Sequence, residues 1–172
     1  MALPLRATAA ICRSEYEEAQ PMYALSYAIP VNPDGVEPKL TREQVWRGLE
    51  MKAENAIPFV DGMSQCDVLE RTSNTITRVV TFRGSQHKEH ITLYEPIQVY
   101  FERMDGTGWI DNTISDSENG LLLTFTFGIT FPGIAENTPE EKAQGDTMRG
   151  AYVGAVQGTL SRVRQMVSGG EL

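Results

Sequence analysis

Six strand-like runs follow one another between residues 65 and 133, and one long helical stretch comes after them. The runs are "QCDVLERTS", "TITRVVTFRG", "KEHITLYEP", "IQVYFERMD", "GWIDNTISD" and "LLLTFTFGITF". Turn residues such as Ser73-Asn74, Gly84-Ser85, Asp105-Gly106 and Glu118-Asn119-Gly120 separate them. Links this short join antiparallel neighbours, so the pattern predicts a meander. Upstream, "MYALSYAIPV" at 22–31 sets Tyr23, Leu25, Tyr27 and Ile29 against smaller residues, the period of a seventh, half-buried strand. A curved antiparallel sheet buries one face only by wrapping another element. The stretch that opens with Thr138 as N-cap and Pro139 as first helical residue, and runs to about Val167, is the one long element left for it to grip.

Between the first strand and the meander, Thr41 and Gln44 have the spacing of a capping box, and Leu40 and Val45 that of a hydrophobic staple. Val45, Trp46, Leu49, Ala53 and Ala56 then hold helical spacing until Pro58, which predicts a bent or paired helical segment. The order is strand, helical pair, six strands, long helix: an α+β chain. Residues 1–21 carry no sustained period and read as an arm, 22–168 as the folded ligand-binding domain and 169–172 as a tail.

This order resembles the helix-grip fold of the START and Bet v 1-like (SRPBCC) superfamily, over Met22 to about Val167. More closely, "MYALSYAIPVNPDGVEPKLTREQVWRGLEMKAENAIPFVDGMSQCDVLE" together with "LLLTFTFGITFPG" resembles the AtaL-like family within it. Fungal members of that family occur in secondary-metabolite clusters, including that of acetylaranotin. The resemblance implies a seven-stranded sheet around a C-terminal helix, a hydrophobic small-molecule ligand between them, and a reaction on a biosynthetic intermediate. It transfers no catalytic motif, and the superfamily includes carriers and receptors as well as cyclases and lyases.

Charge and composition exclude several classes. A formal net charge of -8 with no run of Lys or Arg repels a phosphate backbone or an anionic bilayer. The longest uncharged stretch, 120–135, falls short of the roughly 20 apolar residues that a spanning helix needs. The first twenty residues lack the pattern of a secretory signal, so a cytoplasmic location is expected. Cys12 and Cys66 are expected as free thiols. No GxGxxG opening a helix, P-loop or GxSxG occurs, and any chemistry is expected to run without a cofactor.

Strand alternation picks out the polar side chains that share the apolar face. Arg78 lies on the line Ile76, Arg78, Val80, Phe82; Glu95 ends the line Ile91, Leu93, Glu95; Asn112 lies between Ile110 and Ile114. A buried charge needs a partner, so Arg78 is expected to pair with Glu95, with Asn112 adding hydrogen bonds. In a cavity Arg78 would orient an oxyanion and Glu95 act as acid or base; the same trio read structurally is an internal ion pair. The expected lining is Tyr27, Val80, Phe82, Leu93, Phe101, Phe125, Phe127 and Tyr152. "HKEH" carries metal-ligand types, but on a strand His87 and His90 point to opposite faces, and no metal site is assigned. Cys66 has no basic neighbour in the sequence and reads as a buried thiol.

Gly150, Gly154 and Gly158 fall four residues apart, opposite the face Met148, Tyr152, Val156, Thr159, Val163, Val167. Each glycine costs roughly 1 kcal/mol against alanine. The stripe is expected to receive a second backbone, from the N-terminal arm or from another subunit in a homodimer, or else to be simply exposed. Two functions fit the sequence: a cofactor-free cyclase, isomerase or lyase acting on a polyketide- or terpenoid-like molecule, and a carrier that binds such a molecule without changing it. A core filled by aromatic side chains would exclude both.

Overall fold

The computed structural model describes residues 22–172; the arm expected over 1–21, Cys12 included, lies outside them. The elements are β1 (Tyr23–Pro30), α1 (Arg42–Glu54), β2 (Met63–Arg71), β3 (Thr75–Phe82), β4 (Ser85–Tyr94), β5 (Gln98–Arg103), β6 (Gly108–Ser115), β7 (Leu122–Ile129) and α2 (Pro139–Ser168). The strands form one seven-stranded antiparallel sheet in the order β1-β7-β6-β5-β4-β3-β2. The meander β2–β7 supplies five of the neighbouring pairs by short turns, and β1 closes on β7 through the register Tyr27 to Phe125. This is the helix-grip fold, with α2 held against the concave face.

Local chemistry sets the ends of the elements. Gln44 N donates to Thr41 Oγ1 at 3.2 Å and Thr41 N to Gln44 Oε1 at 2.9 Å, which satisfies two of the orphan donors at the start of α1. Glu141 N donates to Thr138 Oγ1 at 3.2 Å, with Pro139 in the first turn of α2. The second member of the expected helical pair is a single turn, in which Phe59 N and Val60 N both donate to Ala56 O at 3.0 Å. Pro58 has no N–H to donate back to the carbonyl of Glu54, so the turn is cut off from the ladder of α1. At the β3–β4 hairpin Arg83 and Gly84 both take positive φ (48° and 85°), as a two-residue turn requires.

The core lies between sheet and helices. From α2 it receives Tyr152, Val156, Thr159, Leu160, Val163 and Met166. Val167, expected on this face, is only partly buried, and Leu160 and Met166 take its share. Thr159 is buried because its hydroxyl bonds back to Ala155 O at 2.8 Å.

The glycines that permit close packing are not those of the stripe. A Cβ on Gly48 of α1 would strike Val163 of α2, and one on Gly145 would strike the ring of Tyr23. Gly158 alone of the stripe meets a backbone, with Phe59 O at 3.3 Å from where its Cβ would sit. Gly150 and Gly154 meet nothing within 4 Å among the described residues. Gly154→Ala is therefore expected to stabilise the protein by about 1 kcal/mol, and Gly48→Ala to destabilise it by about 1–3 kcal/mol through overpacking. Urea unfolding midpoints check both, and loss of stability in Gly154→Ala would place a further backbone on that face.

Candidate functional site

A cavity opens between the sheet and α2. Its inner end is lined by buried Lys52, Arg78, Val80, Glu89, Phe101, Phe125, Phe127 and Tyr152, and its mouth by the half-exposed Val60, Met63, Phe82, His87, Arg103 and Ala155. Its volume is about 70 Å³, less than the roughly 150 Å³ cavity that accepts benzene. A larger ligand must therefore extend through the mouth or displace the side chains there.

Arg78 holds the inner end together. Its position follows from the hairpin register: Phe82 pairs with Ser85, so Arg78 stands opposite Glu89. Arg78 Nε and Nη2 each lie 2.8 Å from Glu89 Oε2, and the two side chains are only 3% and 6% exposed. Its Nη1 donates to the carbonyls of Lys52 at 2.8 Å and Ala53 at 2.9 Å, in the last turn of α1. Those carbonyls have no partner within the helix and lie at the negative end of its dipole, where a cation is favourable. The same Nη1 lies 3.6 Å from Cys66 Sγ, the basic neighbour that the sequence does not reveal. Most of the donor capacity of Arg78 is thus spent inside the protein.

Lys52 is the unexpected member of the site. Its residue is 6% exposed, and Nζ lies 4.1 Å from the ring centre of Phe125 and 5.4 Å from that of Phe101. Burial, reinforced by the charge of Arg78 and only partly opposed by Glu89, lowers the ammonium pKa to about 7. Glu89 Oε2 is occupied by both Arg78 contacts, which leaves Oε1 as the remaining acceptor on that carboxylate. Tyr152 stacks on Phe127 at 4.4 Å, and desolvation pushes its phenol up to about 12, so it stays a hydrogen-bond donor at neutral pH. At the mouth, His87 Nδ1 lies 3.3 Å from Asp105 Oδ2. Desolvation raises the Asp105 carboxyl, but hydrogen bonds from Thr107 and His87 outweigh it and hold the group below its ordinary value.

The residues expected from sequence are only partly brought together. Val80, Phe82, Phe101, Phe125, Phe127 and Tyr152 line the cavity beside Arg78. Leu93 is buried elsewhere in the core, and Tyr27 packs against the core from β1. Asn112 is fully buried, between Val99 and Phe125 in the ladder, outside the lining, and neither of its amide atoms has a hydrogen-bond partner among the described residues. Glu95 does not reach Arg78: β4 ends at Tyr94, and Glu95 is exposed in the turn beside Arg42, Glu43 and Trp46. It stands six residues beyond Glu89, about 20 Å along an extended chain. Pro96, which cannot donate to a ladder, follows it. His87 faces the cavity while His90 lies 3.4 Å from Thr77 on the other face.

The sequence holds the signals for the residues it concealed. Counting back by twos from Ile91 gives Glu89 and His87, and Lys52 stands three residues after Leu49 and seven after Val45, on the apolar face of α1.

The model of the family described as acetylaranotin biosynthesis cluster protein L (AtaL) matches residues 25–170. The chain belongs to the AtaL family. The acetylaranotin biosynthesis cluster protein L of Aspergillus terreus is 22% identical over 152 residues, covering 86% of this chain and 92% of the relative. Among solved structures, the di-domain ARO/CYC StfQ from the steffimycin biosynthetic pathway matches 86% of this chain with a TM-score of 0.64 at 11% identity; the match spans about half, 52%, of StfQ. The Zhui aromatase/cyclase from Streptomyces sp. R1128 matches 85% of this chain and 96% of its own, with a TM-score of 0.61 at 12% identity. At these identities the likeness is one of fold. No helix among the described residues is long and apolar enough to cross a membrane.

The Lys52 pKa is lowered on folding, so the cost of burying its charge is fully present below about pH 7 and is relieved as pH rises toward the unfolded value near 10.5. Lys52→Met is expected to be the more stable protein at pH 6, by roughly 3–5 kcal/mol, with the advantage shrinking toward pH 10; denaturant titrations across that range measure it. Glu89→Gln leaves the buried guanidinium without its counter-ion and is expected to cost about 3–5 kcal/mol at all these pH values.

Proposed function

We propose that the cavity receives the carbonyl-bearing end of a small hydrophobic, polyketide-like molecule, and that the chain carries out a cofactor-free cyclisation, isomerisation or elimination on it. The observation that carries this reading is the make-up of the buried inner end. Phe101, Phe125, Phe127 and Val80 make it largely apolar, and Lys52 and Glu89 set a few polar atoms among them. An apolar cleft with a few convergent polar groups binds a hydrophobic ligand and fixes its orientation. His87, braced by Asp105, stands at the mouth as the group able to move a proton to or from a ligand carbon or oxygen. The biosynthetic cluster named for the family and the aromatase/cyclase named among the fold relatives agree with this class of ligand.

A carrier is the second reading, and the saturation of Arg78 favours it: a guanidinium already bonded to Glu89 and two carbonyls has little left for an oxyanion. Native mass spectrometry of protein purified from its own host, followed by analysis of a denatured extract, tests the cavity and names the ligand. Incubation with that molecule is expected to yield product, and His87→Gln to bind as well while turning over about 10²-fold more slowly. A ligand that stays unchanged would establish the carrier, and protein that takes up no apolar molecule would remove both readings.

A further inference from the structure

We propose that Lys52 is a carbonyl-capturing amine, whose Nζ condenses with a ketone or aldehyde of the bound molecule to form an imine at the closed end of the cavity. The inference rests on the reading that this end receives a carbonyl. It starts from the position of Lys52, which enters the site from the last turn of α1 and ends above the faces of Phe125 and Phe101. A buried lysine with a structural role normally reaches a carboxylate or extends to water. Among the described residues Lys52 does neither: the facing carboxylate, Glu89, gives its Oε2 to Arg78, and the Lys52 residue is 6% exposed.

The charges around the amine favour its neutral form. Arg78 lies on the sheet side, fixed by its bond to the carbonyl of Lys52 itself, and its positive charge reinforces desolvation. Glu89 from β4 is the anion that opposes them, and the rings of β5 and β7 complete the surroundings. A desolvated lysine beside a second cation is the arrangement that yields a nucleophilic amine near neutral pH.

The step balances without an oxidant or reductant. The nitrogen lone pair attacks the carbonyl carbon, the carbonyl π pair moves to oxygen, and a proton passes from nitrogen to that oxygen to give a carbinolamine. The remaining nitrogen-bound proton then passes to that hydroxyl, which leaves as water while the nitrogen lone pair closes the C=N bond. Protonation of the imine makes the neighbouring carbon acidic, which is the activation that an intramolecular ring closure or a carbon–carbon cleavage requires. The apolar walls disfavour return of the released water, so the adduct persists long enough to react.

The test uses the full 172-residue chain and 2,4-pentanedione, a 1,3-diketone that loses one water on condensing with a neutral amine to give a conjugated, ultraviolet-absorbing enaminone. Intact mass and peptide mapping at pH 7 are expected to give one adduct per chain, at Lys52. It should form ahead of adducts at exposed lysines such as Lys39, Lys88 and Lys142, and roughly 10²–10³-fold faster than on the lysine of a short reference peptide, which at pH 7 is neutral to only about one part in a few thousand. The rate should rise with pH to a plateau with its midpoint near 7, and the adduct should be absent from Lys52→Arg and Lys52→Met. Adducts spread evenly over the surface lysines would overturn the proposal. Binding of the diketone in native mass spectra with Lys52 unmodified would overturn the imine and leave the carbonyl-binding cavity standing. Neither binding nor adduct would count against both.

Discussion

The guanidinium of Arg78 ties the end of α1 to the paired strands β3 and β4. It is carried by β3, paired with Glu89 of β4, and bonded to the last carbonyls of α1. A buried ion pair adds little net stability, since desolvating both charges roughly offsets their attraction. Its effect is on geometry. Any slide of α1 along the sheet would strip a buried cation of two acceptors at once, so the helix has one position, and Lys52, attached to one of those carbonyls, has one too. The turn that follows α1, anchored by buried Ala56 and Phe59, leads back to the sheet edge, and Val60 and Met63 beyond it line the mouth.

Much of this was legible in the sequence, for identifiable reasons. The strand lines of β3 and β6, both helix caps and the inward aromatics of β5 and β7 follow from a period of two or from fixed capping offsets, which are local properties. The partner of Arg78 was not decided by period, because Glu89 and Glu95 have the same parity on β4 and alternation puts both on one face. What separates them is where the strand stops and how tight the preceding turn is: two residues at Arg83-Gly84 set the register that brings Glu89 across from Arg78. Lys52 escaped for a different reason. Its spacing is that of a core residue, but a charge on an apolar stripe reads as a residue that reaches out to water, and only the tertiary structure shows that it does not. The contact of His87 with Asp105 joins β4 to the turn after β5, a relation that no local pattern encodes.

The glycines make a related point about helix packing. A repeat of small residues suggests close approach, yet two of the three stripe glycines face open space among the described residues, while Gly48, unremarked by any repeat, is where α1 and α2 touch. Approach between two helices depends on where they cross, and a single residue at the crossing decides it.

The place of β1 at the far edge of the sheet has a consequence for how the chain folds. β2 through β7 form by hairpins between neighbours in sequence, but β1 waits for β7: Tyr27 pairs with Phe125. During synthesis at about 5–20 residues per second, the interval between the emergence of these partners is on the order of 5–20 s. Throughout it the line Tyr23, Leu25, Tyr27, Ile29 has no sheet to join. The helix that fills the sheet is made later still, so its side of the cavity is the last part of the lining to be synthesised. The wall that α2 supplies through Tyr152 and Ala155 cannot be in place before the rest of the lining has been made.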